Sequence, residues 1–405
     1  MSEVISLSGA RNKGAKMRIG ILRLTDAAPV ILAHEFGFFA EEGVDAELHV
    51  EPSWANIADK LAFGFLDAAL ILPPLAFAVE LGLRGAAQKL IIPYTISLGG
   101  NTVTLAKPLA ERVRGRAREH NISFVDAFAQ TLKEDETPPT IGVVHAYSNH
   151  NLLLRYWLAT AGLTDGRDVH LSVVPPARAV EALEGGQIAG FCAGAPWGEV
   201  AARAGVGISI ATTSDIWRNA PEKAFAVRAH WAEENAEALQ GAIRALLRAA
   251  QFCDDPQNAS YTAALLSRRK YLDVDSHAII ASLPGGGARM RDDAPENASV
   301  FFRYAANFPW RSQALWFLTQ MTRWNLLKPE TDVQALAVRV YRPDIFRRAA
   351  AGLALSIPVS DSKQEGAHKT AWELAGSSGP IAMPTDTFCD GNVFEPDFEE
   401  NPAVS

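Results

Sequence analysis

Hydrophobic and polar positions follow two different periods along the chain, and the two periods alternate. Short apolar runs such as MRIGILRL at 17–24 and TIGVVH at 140–145 have the length and composition of buried parallel strands. Longer segments with helical spacing follow such runs, as NHNLLLRYWLATAG does at 149–162. Strands that alternate with helices at this spacing predict βαβ units, so the chain is predicted to be α/β with parallel sheets.

The alternating pattern occurs twice, which predicts two lobes. The first series starts at residue 17, and the second starts after a polar, helical insertion at 107–138. We expect the second series to be inserted into the first, with strands that cross between the lobes and a ligand cleft between them. The predicted parts are a disordered N-terminus at 1–16, a first lobe at 17–105 and 224–355, a second lobe at 106–223, and a C-terminal acidic extension at 356–405.

The end of the chain loses the periodicity of the lobes. From Asp386 onwards it carries six acidic residues and neither Lys nor Arg. Segments of this composition bury little apolar surface. The segment from Asp386 onwards is therefore predicted to be an extended or mobile acidic arm.

The composition places the chain among ordinary globular proteins and excludes several classes of partner. It has 405 residues, of which 48% are hydrophobic and 21% charged, with a formal net charge of −8. This charge argues against a nucleic-acid surface, and the dense basic run at 111–119 has acidic neighbours typical of a solvated helix face. An uninterrupted run of about 18 apolar residues, as a membrane span needs, does not occur.

The first residues and the cysteines bear on the cellular compartment. Residues 1–16 contain no apolar segment followed by a cleavage site, so we expect no secretory signal and a cytoplasmic protein. The three cysteines, Cys192, Cys253 and Cys389, are isolated and odd in number, which argues against a disulfide framework.

Sequence motifs of the common enzyme classes are missing. The phosphate-binding loop G-x-x-x-x-G-K-[ST], the zinc motif H-E-x-x-H and the nucleophile elbow G-x-S-x-G do not occur. The histidines are scattered without metal-ligand spacing. We therefore predict a binding protein rather than an enzyme, with no cofactor and no metal.

Four residues fall where the predicted cleft would be, and each has two interpretations. Trp54 begins a helix that follows a strand. Its ring is either an aromatic packing contact or an indole N–H donor at the cleft. Asn101 follows two glycines, which let the backbone approach a ligand closely. It is either a turn residue or a ligand contact. His150 lies in the first turn of an apolar helix, where it is either a capping or core residue or a donor to an anion favoured by the helix dipole. Lys223 is either a surface residue or a cleft residue, since an apolar strand follows it.

Long stretches of the chain resemble the nitrate-binding family of the cyanobacterial nitrate and bicarbonate transporters, the NrtA/CmpA-like proteins. The resemblance covers nearly all of residues 17–345, and it implies a type II periplasmic-binding-protein-like fold with the ligand between two α/β lobes. The stretches that carry it are SWANIADKL at 53–61, HNLLLRYWLA at 150–159, VVPPARAV at 173–180, DIWRNAPEKAF at 215–225 and SQALWFLTQMTRW at 312–324.

The resemblance also implies a ligand site. In that family a tryptophan, an amide, a histidine and a lysine hold the oxyanion, and these positions fall on Trp54, Asn101, His150 and Lys223. The family often has the longer glutamine where Asn101 stands, and a backbone contact would fall at about Asn56. Bicarbonate-binding relatives place an acidic, metal-assisted site near the lysine position, so Lys223 favours nitrate or nitrite over bicarbonate.

Within this family the expected cytoplasmic location points to the NasS-type nitrate/nitrite sensors. Such a sensor pairs with a NasT-like RNA-binding antiterminator of the ANTAR class, holds it when empty, and releases it when nitrate or nitrite binds. Three alternatives stay open: the substrate-binding component of a nitrate ABC transporter, a sulfonate- or pyrimidine-binding relative, and a pyrimidine synthase on this fold. The isolated cysteines speak against the last, which uses a cysteine-rich iron site.

Overall fold

The computed structural model describes residues 14–286 and 299–396. The predicted disorder at 1–16 falls mostly outside the described residues, and the first strand begins at Ala15. The strands are β1 (Ala15–Ile21), β2 (Val44–Val50), β3 (Ala68–Ile71), β4 (Leu90–Thr95), β5 (Asn101–Ala106), β6 (Thr140–Val143), β7 (His170–Val173), β8 (Gly190–Gly194), β9 (Gly207–Thr212), β10 (Ala224–Arg228), β11 (Trp372–Leu374) and β12 (Ile381–Met383).

Helices cover both faces of the sheets and make up much of the region after β10. They are α1 (Ala28–Glu35), α2 (Phe38–Glu41), α3 (Trp54–Ala62), α4 (Pro73–Glu80), α5 (Lys107–His120), α6 (Phe124–Leu132), α7 (Asn149–Thr160), α8 (Ala179–Glu184), α9 (Trp197–Arg203), α10 (Thr213–Ile216), α11 (Ala229–Glu234), α12 (Ala236–Asp254), α13 (Ala259–Leu266), α14 (Ser276–Ile280), α15 (Arg311–Arg323), α16 (Val333–Val340) and α17 (Pro343–Ala350). In the described ranges no helix is long and apolar enough to cross a membrane.

Two five-stranded sheets define the two lobes, which confirms the predicted two-lobed α/β architecture. The first sheet has the order β2-β1-β3-β10-β4, and the second has the order β7-β6-β8-β5-β9. In each sheet four strands run in one direction, and the strand that arrives from the other lobe, β10 or β5, is antiparallel to both its neighbours. The sheets are therefore mixed rather than purely parallel. The predicted first lobe ended at residue 105, whereas β5 lies in the second sheet.

The two segments that cross between the lobes are hydrogen-bonded to each other. The backbone N–H of Ile96 donates to the carbonyl of Lys223 at 2.8 Å, and the N–H of Glu222 donates to the carbonyl of Ser97 at 3.0 Å. Gly99 and Gly100, both with positive φ, then turn the chain into β5. This pairing sets the first residue of β5 beside the residues that precede β10.

Residues 386–396 of the predicted mobile arm pack against both lobes, whereas residues 397–405 lie outside the described residues. The ring of Phe388 lies 4.8 Å from that of Trp217, which follows α10 of the second lobe, and 5.7 Å from that of Trp316 in α15. The carboxylate of Asp386 accepts the indole N–H of Trp217 at 2.8 Å. Phe388 thereby joins the hydrophobic core that contains Trp217 and Trp316.

Several acidic residues of the extension have partners that hold them in place. The side chain of Lys363 is 9% exposed and pairs with the carboxylates of Glu365 and, at 3.1 Å, Asp386. Asp390 accepts the hydroxyl of Tyr156 at 2.7 Å. We use the name C-terminal brace for residues 357–396. The acidic composition of the segment from Asp386 onwards predicted mobility, because composition does not show whether charged residues are paired.

The brace should contribute strongly to stability. Phe388 is 4% exposed, so Phe388→Ala should lower the free energy of unfolding by about 3–5 kcal/mol through lost apolar burial and the cavity that remains. Phe63 is 66% exposed, and Phe63→Ala serves as the matched control, with an expected change within about 0.5 kcal/mol. Urea denaturation of both variants measures the difference. Equal changes would show that the brace does not anchor the fold.

Candidate functional site

Buried polar side chains meet where the chain crosses between the lobes. Asn101 is the first residue of β5, and Lys223 directly precedes β10. Trp54 begins α3, and His150 lies in the first turn of α7. All four side chains are at most 1% exposed. Polar groups at this depth need hydrogen-bond partners, since burial without them is costly.

Two serine caps fix where the helices of the site begin. The hydroxyl of Ser53 accepts the N–H of Asn56 at 3.2 Å, and the hydroxyl of Ser148 accepts the N–H of Asn151 at 3.0 Å. Serine at this position satisfies one of the free N–H groups of the first turn. Helix α7 therefore starts at Asn149 and presents the positive end of its dipole to the cluster.

The carboxylate of Glu222 lies at the centre of the cluster. One of its oxygens, Oε1, accepts hydrogen bonds from the side-chain amides of Asn101 and Asn149. The other oxygen, Oε2, accepts from the ammonium of Lys223 and lies 3.4 Å from Nε2 of His150. Three of the residues predicted to hold an anion thus contact one negatively charged group of the protein itself.

Lys223 links this carboxylate to the rest of the site. Its ammonium nitrogen lies 2.9 Å from Oδ2 of Asp26 and 3.2 Å from Nε2 of His150. It also lies 5.6 Å from the centre of the Trp54 ring, within the range of a cation–π contact. The structure thus brings Trp54, Asn101, His150 and Lys223 together.

Asn56 is the one predicted site residue that does not join this cluster. Its side chain is exposed, and its Oδ1 accepts the hydroxyl of Ser53 at 2.6 Å. Its backbone N–H is already used by the helix cap. The structure assigns Asn56 to the start of α3 and not to the buried site.

Burial and charge set the protonation states. Burial by itself would raise the pKa of Glu222, but Lys223 and His150 outweigh it and lower that pKa to about 2. Burial by itself would lower the pKa of Lys223, but Asp26 and Glu222 raise it. Burial, together with Lys223, lowers the pKa of His150, so its imidazole is neutral. Burial raises the pKa of Asp26. Two carboxyl groups thus face one ammonium.

Two potential donors of the cluster are buried without a partner among residues 14–286 and 299–396. They are Nε1 of Trp54 and Nδ1 of His150. A neutral imidazole has one N–H, and when Nε2 accepts from Lys223 the proton is on Nδ1. Buried polar atoms without a partner are uncommon in folded proteins. Together with the amides and the ammonium they form a set of donors suited to a small anion.

Sequence reasoning missed three members of the cluster. Glu222 is the neighbour of Lys223 in PEK, and Asn149 is the neighbour of His150. Asp26 follows β1, at the carboxyl end of a parallel strand, where ligand sites are common in α/β sheets. The position of Asp26 after a buried strand was the one signal available in the sequence.

Comparisons with known proteins agree with this architecture. The chain matches the model of the NMT1-like family over residues 10–267. It is 30% identical over 407 residues to the nitrate/nitrite binding protein NrtA of Nostoc sp. (strain PCC 7120), covering 98% of this chain and 87% of that protein. The crystal structure of the periplasmic nitrate-binding protein NrtA from Synechocystis PCC 6803 superposes with a TM-score of 0.80 at 28% identity, covering 95% of this chain and 96% of that chain.

A further relative is a larger protein. The chain is 35% identical over 347 residues to the bicarbonate transport ATP-binding protein CmpC of Synechocystis sp. (strain PCC 6803). The match covers 84% of this chain and 50% of CmpC, so the chain spans about half the length of that relative.

The ion cluster should make Lys223 important for stability. Lys223→Met leaves Asp26 and Glu222 buried without their cation, and the free energy of unfolding should fall by about 3–5 kcal/mol. Lys89 pairs with the buried Glu80 but its side chain is 71% exposed, so Lys89→Met is the matched control, with a loss of at most about 1 kcal/mol. Chemical denaturation at neutral pH tests both variants. If Lys223→Met were as stable as the control, the cluster would not be the ionised network described.

Proposed function

We propose, since the chain belongs to the NMT1-like family and is a homologue of the nitrate-binding protein NrtA, that it binds nitrate or nitrite between its two lobes. The observation that supports this most directly is the convergence of the Asn101 and Asn149 amides and the Lys223 ammonium on one planar carboxylate, with the His150 ring beside it. A carboxylate shares its charge, its planarity and its oxygen acceptors with these two anions.

The chemistry of the donors suits an anion that is never a donor itself. Nitrate and nitrite carry no O–H at neutral pH and need hydrogen-bond donors alone. The site offers amide, indole and imidazole N–H groups and the compact charge of one lysine. These groups do no chemistry on the ligand, so the proposed activity is binding without catalysis.

The position of the site couples binding to the arrangement of the lobes. Trp54 and Lys223 adjoin elements of the first sheet, whereas Asn101 and His150 belong to the second lobe. An anion that contacts both groups stabilises the arrangement in which they are close. A partner that prefers another arrangement would then be released by the anion, and the two affinities would change by the same factor.

We further propose that the protein is a cytoplasmic nitrate/nitrite sensor that holds a NasT-like ANTAR antiterminator when empty. The coupling between anion and lobes supports a sensor, because it gives the ligand a means to change the affinity for a protein partner. The same coupling would serve the substrate-binding component of a nitrate ABC transporter. The two roles differ in the partner, and the second experiment below separates them.

Nitrate binding should depend on the indole N–H of Trp54. Trp54→Phe keeps an aromatic ring but removes this donor, so nitrate affinity should fall about tenfold, the loss of roughly one hydrogen bond to a charged group. Trp324→Phe is the matched control, since the Trp324 indole nitrogen is also buried without a partner within the described part of the chain. Trp324 follows the end of α15 and does not belong to the cluster. Isothermal titration calorimetry measures the affinity of the wild type and both variants for nitrate, nitrite, bicarbonate and taurine.

Binding of taurine or bicarbonate in preference to nitrate and nitrite would contradict the proposed ligand. An equal loss in the two tryptophan variants would contradict the place of Trp54 in the site. The control is informative because both substitutions remove an indole N–H whose nitrogen is buried without a partner in the described part of the chain.

The sensor role predicts that nitrate releases the partner. Affinity for a purified NasT-like protein should fall at least tenfold in millimolar nitrate, a coupling of about 1.4 kcal/mol. Pull-down of the partner with and without nitrate measures it, with chloride at the same ionic strength as the control. Equal recovery in nitrate and chloride, or no recovery in either, would reject the sensor role and favour the transporter component.

A further inference from the structure

The carboxylate of Glu222 engages three of the donors that the proposed function assigns to the anion, those of Asn101, Asn149 and Lys223. It accepts the amides of Asn101 and Asn149 on one oxygen and the ammonium of Lys223 on the other, with Nε2 of His150 at 3.4 Å. Glu222 is 2% exposed, so its carboxylate has no alternative contact with solvent at this position. It is therefore bound by the protein in the way that a small oxyanion would be.

The geometry of a carboxylate explains why the two acceptors compete. Two oxygens in one plane, with the negative charge shared between them, match nitrite closely and match two of the three oxygens of nitrate. Each N–H of the site makes one strong hydrogen bond, and an N–H directed at Glu222 is not directed at a second acceptor. An external anion that takes these donors has to displace the carboxylate.

The charges of the cluster also disfavour an external anion while the Glu222 carboxylate is in place. Asp26 and Glu222 both pair with Lys223, and His150 contributes a neutral ring. A further negative ion inside this cluster would face two carboxyl groups and one ammonium. Repulsion between buried like charges is screened much less than at the surface. Withdrawal of the Glu222 carboxylate would remove the nearer of these repulsions as the ligand enters.

We propose that Glu222 is an internal competitor of the anion, whose carboxylate must leave Asn101 and Asn149 before nitrate or nitrite can bind. This inference rests on the proposed function and adds to it the residue that sets the affinity of the site. Glu222 thereby weakens the binding of every small oxyanion. The affinity of the protein is lower than its donors alone would give.

A different role for Glu222 makes the opposite prediction. If the carboxylate served to position Lys223 for the ligand, its removal would displace the ammonium and weaken binding. A competitor and a positioning residue thus differ in the sign of the change. The sign can be measured with substitutions that alter Glu222 alone.

The test compares Glu222→Gln with the wild-type protein and a matched control. Glutamine keeps the length and the planar end of the side chain but removes the charge, so nitrate affinity by calorimetry should rise at least tenfold. Glu80 is 4% exposed and pairs with Lys89 and Arg339 away from the site, so Glu80→Gln should bind nitrate as the wild type does. Sodium chloride at equal ionic strength controls for general effects of salt.

A second variant tests the competition directly. Glu222→Ala removes the carboxylate, and formate is a free carboxylate small enough to replace it. Formate should raise the melting temperature of Glu222→Ala by several degrees more than that of the wild type, and nitrate should displace formate from this variant. This readout remains available if the variant is less stable, because stability is what it measures.

The outcomes separate the inference from the proposed function. Unchanged or weaker nitrate binding by Glu222→Gln, with measurable binding by the wild type, would overturn the role of Glu222 and leave the proposed ligand intact. An equal effect of formate on Glu222→Ala and wild type would also overturn it. Absence of nitrate and nitrite binding by both wild type and Glu222→Gln would overturn the proposed ligand and the inference together.

Discussion

The buried ammonium of Lys223 lies between the carboxyl groups of Asp26 and Glu222, and the rest of the site is arranged around this contact. A lysine at this depth stays charged because the two carboxyl groups offset the cost of removing it from water. Burial, together with this charge, lowers the pKa of the neighbouring His150. One cation thus pairs with both carboxyl groups of the cluster.

The backbone pairing of the two crossing segments positions Lys223 in the cluster. Because Glu222 and Ser97 are hydrogen-bonded across the pair, residues that are more than a hundred positions apart in sequence become neighbours. Any change in the angle between the lobes acts on this pair. The side chain of Glu222 projects from it directly into the donors of the second lobe, so its contacts and the lobe arrangement are mechanically linked.

The architecture and most residues of the candidate site could be predicted from the sequence, for identifiable physical reasons. Alternating apolar periods are a local property, and they predicted two α/β lobes correctly. Trp54, Asn101, His150 and Lys223 were found because each stands at the start of an element, and the long resemblance selected among their possible roles. The packed brace could not be predicted in the same way, since its order depends on distant contacts such as that between Trp217 and Phe388.

Glu222 illustrates the limit of reasoning from spacing. In sequence it is one more acidic residue beside a lysine, and a surface ion pair is the usual interpretation of such a neighbour pair. Its burial follows from the crossing pair, and its partners come from β5 and α7. None of these relations is local. The candidate donors were therefore predictable from residue type and resemblance, while the carboxylate that engages Asn101, Asn149 and Lys223 was not.

The brace bears on how a ligand could reach a site buried this deeply. Phe388 packs against both Trp217 and Trp316, and Tyr156 of α7 donates to Asp390, so the brace holds the second lobe to the helical region that follows β10. A wide separation of the lobes would have to break this aromatic packing, which buries several large rings at once. Rotation of the Glu222 side chain away from Asn101 and Asn149 would free donors of the second lobe without breaking this aromatic packing.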